Sequence, residues 1–204
     1  MQPTRNLGIL IFDDVEVLDF CGPFEVFSVS RQVVAPPVFN VFTVAQSTKP
    51  VLARNGLSVN PRYGFADSPD LQILLVPGGQ GTRREMHNGE VVDWIRAKAQ
   101  TAELVLSVCT GAVLLAKAGL LDGLAATTHG GAIDFLREVA PRTTVKPDER
   151  FIDNGRVICS AGIAAGIDMS LHVVARLAGT EVAAQTARYM EYPWPPPAAS
   201  SPAD

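Results

Sequence analysis

Continuous apolar runs of four to six residues alternate along this chain with longer stretches of helical periodicity. "LGILIF" (Leu7 to Phe12), "LQILLV" (Leu71 to Val76) and "LVLSV" (Leu104 to Val108) have no polar alternation, which suits strands buried on both faces. "FNVFTVA" alternates as a strand does, and "LAATTH" offers a further short one. Helices are expected over "EVVDWIRAKAQ", Ala112 to Leu121, "AIDFLREVA", "AAGIDMSLHVVARLAG" and "TEVAAQTARYMEY", the last with Thr180 as N-cap after Gly179. Pro23 fits the first turn of another helix running to about Ser30. Asn55-Gly56 and Asn154-Gly155, each between short apolar runs, mark two hairpins.

Strands alternating with helices predict an α/β fold, a mainly parallel sheet with helices on both faces. Sites in such folds form outside the carboxyl ends of the strands. Four polar or Gly-rich loops should meet there: Asp13–Gly22, Pro77–Gly81, Cys109–Gly111 and His129–Gly131. No internal repeat interrupts the pattern, so residues 1–192 are expected to form one domain. The Pro- and Ala-rich tail, 193–204, is expected to be extended or disordered.

Composition narrows the function classes. The 204 residues are 47% hydrophobic and 19% charged, an ordinary globular balance that needs no disulfide or metal to stabilise a core. A net charge of −4, with scattered Arg and Lys, offers no electrostatic footprint for nucleic acid or an anionic membrane. No run approaches a membrane span and no secretory leader is visible. Three widely spaced cysteines, 21, 109 and 159, form neither a disulfide framework nor a metal pattern, and the expected compartment is the reducing cytoplasm.

Cys109 carries the candidate chemistry. It stands between a buried strand and a helix, where free N–H groups of Thr110 and Gly111 face the side chain. That position predicts a thiol below its free pKa of about 8.5 and a place for developing negative charge. The plainer alternative is a small buried hydrophobe. "VPGGQG" (Val76 to Gly81) is either a tight turn or a second backbone donor, near Gly79, aimed at the same pocket; its glycine spacing fits no phosphate loop. Asp19, flanked by Leu18 and Phe20, can hold a proton near neutral pH and serve as a general acid beside a thiolate. His129 is either a site residue or a hydrogen-bonded turn residue. His87, His172 and Cys159 are expected to be structural. Cys21, in the Asp19 loop, is a possible second thiol for a disulfide with Cys109.

With these residues in view, "ILIFDDVEVLDFCGPFEVF", "LLVPGGQG", "SVCTGAVLLAKAGLLDG", "ATTH" and "SAGIAAGIDMSLHVVARLAG" resemble the ThiJ/PfpI superfamily, also described as class I glutamine amidotransferase-like, in order and spacing. "LDFCGP", "SVCTG" and "MEYPWPPP" are similar to its isocyanide hydratases. The resemblance implies a flavodoxin-like three-layer sandwich, a homodimer, a small-molecule substrate and no cofactor or metal. It implies that Cys109 is the nucleophile, Asp19 the acid hydrogen-bonded to it, Gly79 the facing turn, with Thr110 and His129 alongside. Three departures from the pattern stand out: Gly130, where relatives often carry Trp; Cys21, where a small residue such as Thr or Ala is usual; and Pro197 and Ala198, which replace the apolar end of the tail motif. The activity implied is hydration of an isocyanide to an N-substituted formamide through a thioimidate on Cys109. The alternatives are a glyoxalase-like enzyme, a redox or ligand sensor related to AraC-type regulators, and a Cys-His-acid hydrolase.

Overall fold

The three continuous apolar runs become the centre of one seven-stranded sheet. The computed structural model describes residues 4–194. Its first half holds β1 (Arg5–Leu10), α1 (Val17–Val29), β2 (Phe39–Ala45), β3 (Val51–Leu52), β4 (Ser58–Val59), β5 (Tyr63–Gly64), β6 (Ile73–Val76), α2 (Thr82–Glu85) and α3 (Gly89–Thr101). The second half holds β7 (Leu104–Val108), α4 (Gly111–Lys117), β8 (Ala125–Ala126), α5 (Ile133–Val139), β9 (Thr144–Val145), β10 (Phe151–Asp153), β11 (Val157–Ser160), α6 (Ala165–Ala178) and α7 (Thr180–Tyr189).

The main sheet runs β10-β11-β7-β6-β1-β2-β5, parallel throughout except for the β10–β11 hairpin. Every residue of β6, β7 and β11 is buried, as strands covered on both faces must be. Helices α1, α6 and α7 pack together, and α2, α3 and α5 gather around α4. Right-handed crossovers put these groups on opposite faces, because the chain leaves β1 in one direction and β6 in the other. The result is the flavodoxin-like three-layer arrangement.

Both Asn-Gly hairpins are present. The β3–β4 turn places Asn55 and Gly56 at φ 59° and 88°, and the β10–β11 turn carries Gly155 at φ 85°. Asn154 also ties its hairpin to β8, its Nδ2 donating to the Ala125 carbonyl at 2.9 Å.

Four expectations need correction. Helix α1 begins at Val17, six residues before Pro23, so Asp19 and Cys21 stand on a helix and not in a loop. A proline inside a helix costs about 3 kcal/mol. Close packing against α6 offsets it: Gly22 faces the Ile167 side chain, and Gly166 lies against Val108 and the Pro23 ring. The strand over "LAATTH" forms, but β8 pairs with β9 in a small parallel sheet of its own. Strands β5 and β9, two residues each, had no signal in the apolar pattern. Thr180 is the first helical residue of α7, one place after the expected cap. Pro193 and Trp194 have no regular structure, and the rest of the tail, 195–204, lies outside the described residues.

Candidate active site

The strand order reverses between β1 and β6, and the crevice above that point is where ligands bind in open parallel sheets. Three segments converge there: the turn after β6, the elbow after β7, and the first turn of α1.

The elbow is Cys109, held at φ 56°. A non-glycine residue in this region costs about 1–3 kcal/mol and persists only when its surroundings over-determine it. Here they do. The Cys109 N–H points at the carbonyls of Ser160 (3.1 Å) and Ala161 (3.3 Å), and its own carbonyl accepts from Thr128 Oγ1 at 2.8 Å. The sulfur is thereby fixed at the carboxyl edge of the sheet, 5% exposed as a residue.

Asp19 is fully buried and acts on the Cys109 thiol. The Gly78 N–H donates to Oδ2 at 3.1 Å, while Oδ1 has no partner among the described residues. Burial pushes this carboxyl up to about 7; the bonds from Cys109 and Gly78 pull it down, and the Glu16 charge adds a smaller push upward. The thiol departs from expectation. Burial, then the negative charge of Asp19, push Cys109 up to about 12, and the Thr110 N–H does not offset them. The short helix α4 therefore does not make a thiolate at rest. The pair holds its proton on sulfur, donated toward the Asp19 carboxylate.

Thr110 joins the elbow to the β6 turn. Its Oγ1 accepts from the Gly79 N–H at 3.0 Å and lies 3.1 Å from Thr82 Oγ1. The Gly79 N–H is thus engaged and does not serve as a second free donor in the pocket. Its neighbour Gly78, not singled out in the sequence, is the glycine whose N–H meets the acid. A Cβ on Gly78 would sit 2.5 Å from Thr110 N and 2.9 Å from Asp19 Oδ2. Gly111 is likewise a packing glycine, because a Cβ there would overlap the Val76 carbonyl.

His129 is exposed at the start of a short helical turn, with Nδ1 accepting from the Gly131 N–H at 3.1 Å. No carboxylate orients it among the described residues, so it is not the middle of a triad. Gly162 separates it from the sulfur: a Cβ there would lie 3.1 Å from Cys109 Sγ and 2.5 Å from His129 Cδ2. Cys21 is two positions beyond Asp19 on α1, and residues at that spacing do not share a helix face. It is half-buried and does not line the cleft that Cys109 opens on. Cys159 is fully buried in β11, its thiol pushed up to about 11 by burial. His172 pairs with Asp153 at 2.8 Å, beside Arg176.

The sulfur opens on a cleft of about 230 Å³. Its wall includes Glu16, Gln80, His129 and Ile163, together with Arg54 and Arg83. Among the described residues no cluster of His, Cys, Asp or Glu is placed to hold a metal ion. No described helix is long and apolar enough to cross a membrane.

The raised Asp19 carboxyl has a consequence for stability. Its folded pKa of about 7 lies above an unfolded value of about 3.9, so its contribution is full below about pH 4 and is lost as pH rises through 7. Asp19→Asn removes that titration. Denaturation midpoints at pH 5 and pH 8 should show the variant gaining on the wild type with rising pH, by a few kcal/mol (order of magnitude). A difference that does not change with pH would put the titration elsewhere.

A parallel sheet carrying a left-handed cysteine elbow over a buried acid defines a class of α/β proteins, the one the motifs resembled. Residues 5–176 match the DJ-1/PfpI family, and the chain belongs to it. An isonitrile hydratase of Pseudomonas putida is 35% identical over 192 residues, covering 94% of this chain and 80% of the hydratase. The HTH-type transcriptional regulator GbdR of Pseudomonas aeruginosa is 28% identical over 188 residues; this chain spans 51% of its length. The crystal structure of a ThiJ/PfpI family protein from Pseudomonas syringae superimposes with a TM-score of 0.84 at 29% identity, over 98% of this chain and 80% of that one.

Proposed function

We propose that this protein is a cysteine-dependent hydratase that adds water to an isocyanide and releases an N-substituted formamide. The observation that carries the reading is the Asp19 carboxyl, fully buried, held by the Gly78 N–H and raised to about 7, in the same site as the Cys109 thiol. The likeness to an isonitrile hydratase supports it.

An isocyanide is electrophilic at its terminal carbon and has no carbonyl oxygen, so a proton shuttle beside the sulfur matters more than an oxyanion hole. Sγ attacks that carbon as its proton passes to Asp19, which delivers it to the same carbon. The product is a thioimidate, with carbon joined to sulfur, hydrogen and nitrogen. Asp19, again ionised, takes a proton from water as the water oxygen adds to the thioimidate carbon, and passes that proton to the nitrogen. The tetrahedral adduct then collapses, the C–S bond breaks, the hydroxyl proton returns to sulfur, and the formamide leaves. No organic cofactor or metal enters this scheme. The proposal is of a homodimeric, cytoplasmic enzyme.

The engaged Gly79 N–H argues against a glyoxalase-like role, where carbonyl oxygen gains charge and needs free donors. The imidazole of His129, which no carboxylate orients among the described residues, argues against a triad hydrolase. The likeness to transcriptional regulators favours one second reading, a ligand sensor that binds without turnover.

The test is a panel of an aryl isocyanide and methylglyoxal, with Cys109→Ala as the blank. The wild type should form the formamide and the blank should not. Turnover of methylglyoxal alone would move the protein to the glyoxalase class. Saturable binding with no turnover of either would favour the sensor.

A further inference from the structure

Two arginines in the wall of the Cys109 cleft have no role in the chemistry above, and one of them is poised for a ligand. Arg83 holds its guanidinium carbon 5.5 Å from the centre of the Phe135 ring. A cation–π contact of this kind anchors the guanidinium without tying its N–H groups to an acceptor oxygen. Among the described residues no carboxylate lies within ion-pairing distance of Arg83, and no hydrogen bond engages its side chain. Its neighbour Arg84 is the contrast. That side chain pairs with Glu85 at 2.8 Å and Asp14 at 3.8 Å, and donates to the Asp13 carbonyl at 2.8 Å. Arg54, the second cation of the wall, has only Asp14 at 3.8 Å, which Arg84 shares.

Charge in the wall is unbalanced as well. Arg54 and Arg83 face a single wall carboxylate, Glu16. The substituent–N≡C axis of an isocyanide is linear, so when its terminal carbon meets Sγ the substituent points outward along the approach path, into the rest of the cleft. A planar anion there would find a planar, bidentate donor already anchored on Phe135.

We infer that the cleft recognises a carboxylate on the substrate through Arg83, with Arg54 as the supporting positive charge. The substrate class is then an isocyanide whose nitrogen substituent carries a carboxylate. The identity of the reacting group rests on the hydratase reading; the anion recognition rests on the arginines alone.

The experiment compares para-isocyanobenzoate with its methyl ester on the intact protein. The wild type should prefer the acid in kcat/KM by about tenfold or more, as expected for a charge-assisted bidentate contact. Arg83→Gln should reduce the acid-to-ester ratio about tenfold, through KM for the acid and not kcat. Arg83→Lys, keeping charge but losing the fork, should recover part of the ratio. A wild-type ratio at or below one, or a ratio unchanged in Arg83→Gln, overturns the inference. Alkylation of Cys109 by iodoacetate and iodoacetamide gives a readout independent of hydration, since the two reagents differ in charge more than in size. The iodoacetate-to-iodoacetamide rate ratio should fall in Arg83→Gln. If neither isocyanide is hydrated, the hydratase reading fails, and this second ratio alone upholds or overturns anion recognition.

Discussion

Asp19→Asn should slow isocyanide hydration at least about a hundredfold while making Cys109 easier to alkylate at pH 8. The two effects oppose each other because Asp19 acts on the sulfur in two ways. Its carboxylate raises the thiol pKa through charge and by accepting the S–H hydrogen bond, so removing it enlarges the thiolate fraction. The amide cannot carry a proton between sulfur, carbon and water, and general acid–base catalysis of this kind contributes about a hundredfold or more. An inert thiol in the variant would mean the side chain merely supports the fold. His129→Asn should cost less than about tenfold, since its ring is held by a backbone N–H and not by a carboxylate. Rates in the reverse order would assign the proton to the histidine.

Gly78→Ala should damage the fold and the reacting pair together. Its Cβ would fall 2.5 Å from the Thr110 N and 2.7 Å from its hydroxyl, besides crowding the Asp19 carboxyl. The nearest of these atoms, Thr110 N, is backbone, so either the β6 turn or the elbow must move. Overpacking of this kind costs on the order of 3 kcal/mol, and turnover should drop about a hundredfold or more because a displacement of about an ångström at the reacting atoms is enough. Gly130→Ala is the control for stability, since a Cβ there meets nothing within 4 Å. Thermal melts of the two variants, read with formamide production by Gly78→Ala, check this. An unshifted melting temperature in Gly78→Ala would show that the turn has slack.

The central sheet was legible because strands buried on both faces must be apolar without interruption, and both hairpins because Asn-Gly favours positive φ. The start of α1 was not. Its first turn carries Asp19 among apolar residues and looks like an acidic loop, and Pro23 looks like a beginning; only packing against α6 shows why the helix tolerates it. Strands of two residues, as in β5 and β9, are too short to establish a period. The pairing of Cys109 with Asp19 could be anticipated from a strand–helix junction and an acid with apolar flanks. Which glycine faces the acid could not, because Gly78 and Gly79 differ only in backbone direction, with Gly79 at φ 124°. The thiol pKa was misjudged for a related reason. A helix start is visible locally, whereas the burial and charge that outweigh it come from α1 and β6, distant in sequence.

The elbow at Cys109 is pinned by segments from distant parts of the chain: β11 and the loop beyond it through Ser160 and Ala161, the loop after β8 through Thr128, and α1 through Asp19. Closing such long loops is entropically unfavourable until the sheet that joins them exists. A nascent or truncated chain without β11 therefore has Cys109 but nothing to hold its left-handed backbone. A chain without α1 has the cysteine but no acid. The reactive centre is in this sense a certificate of complete assembly: partly folded copies carry an ordinary thiol, and the paired chemistry exists only where α1 and β11 have both found their places.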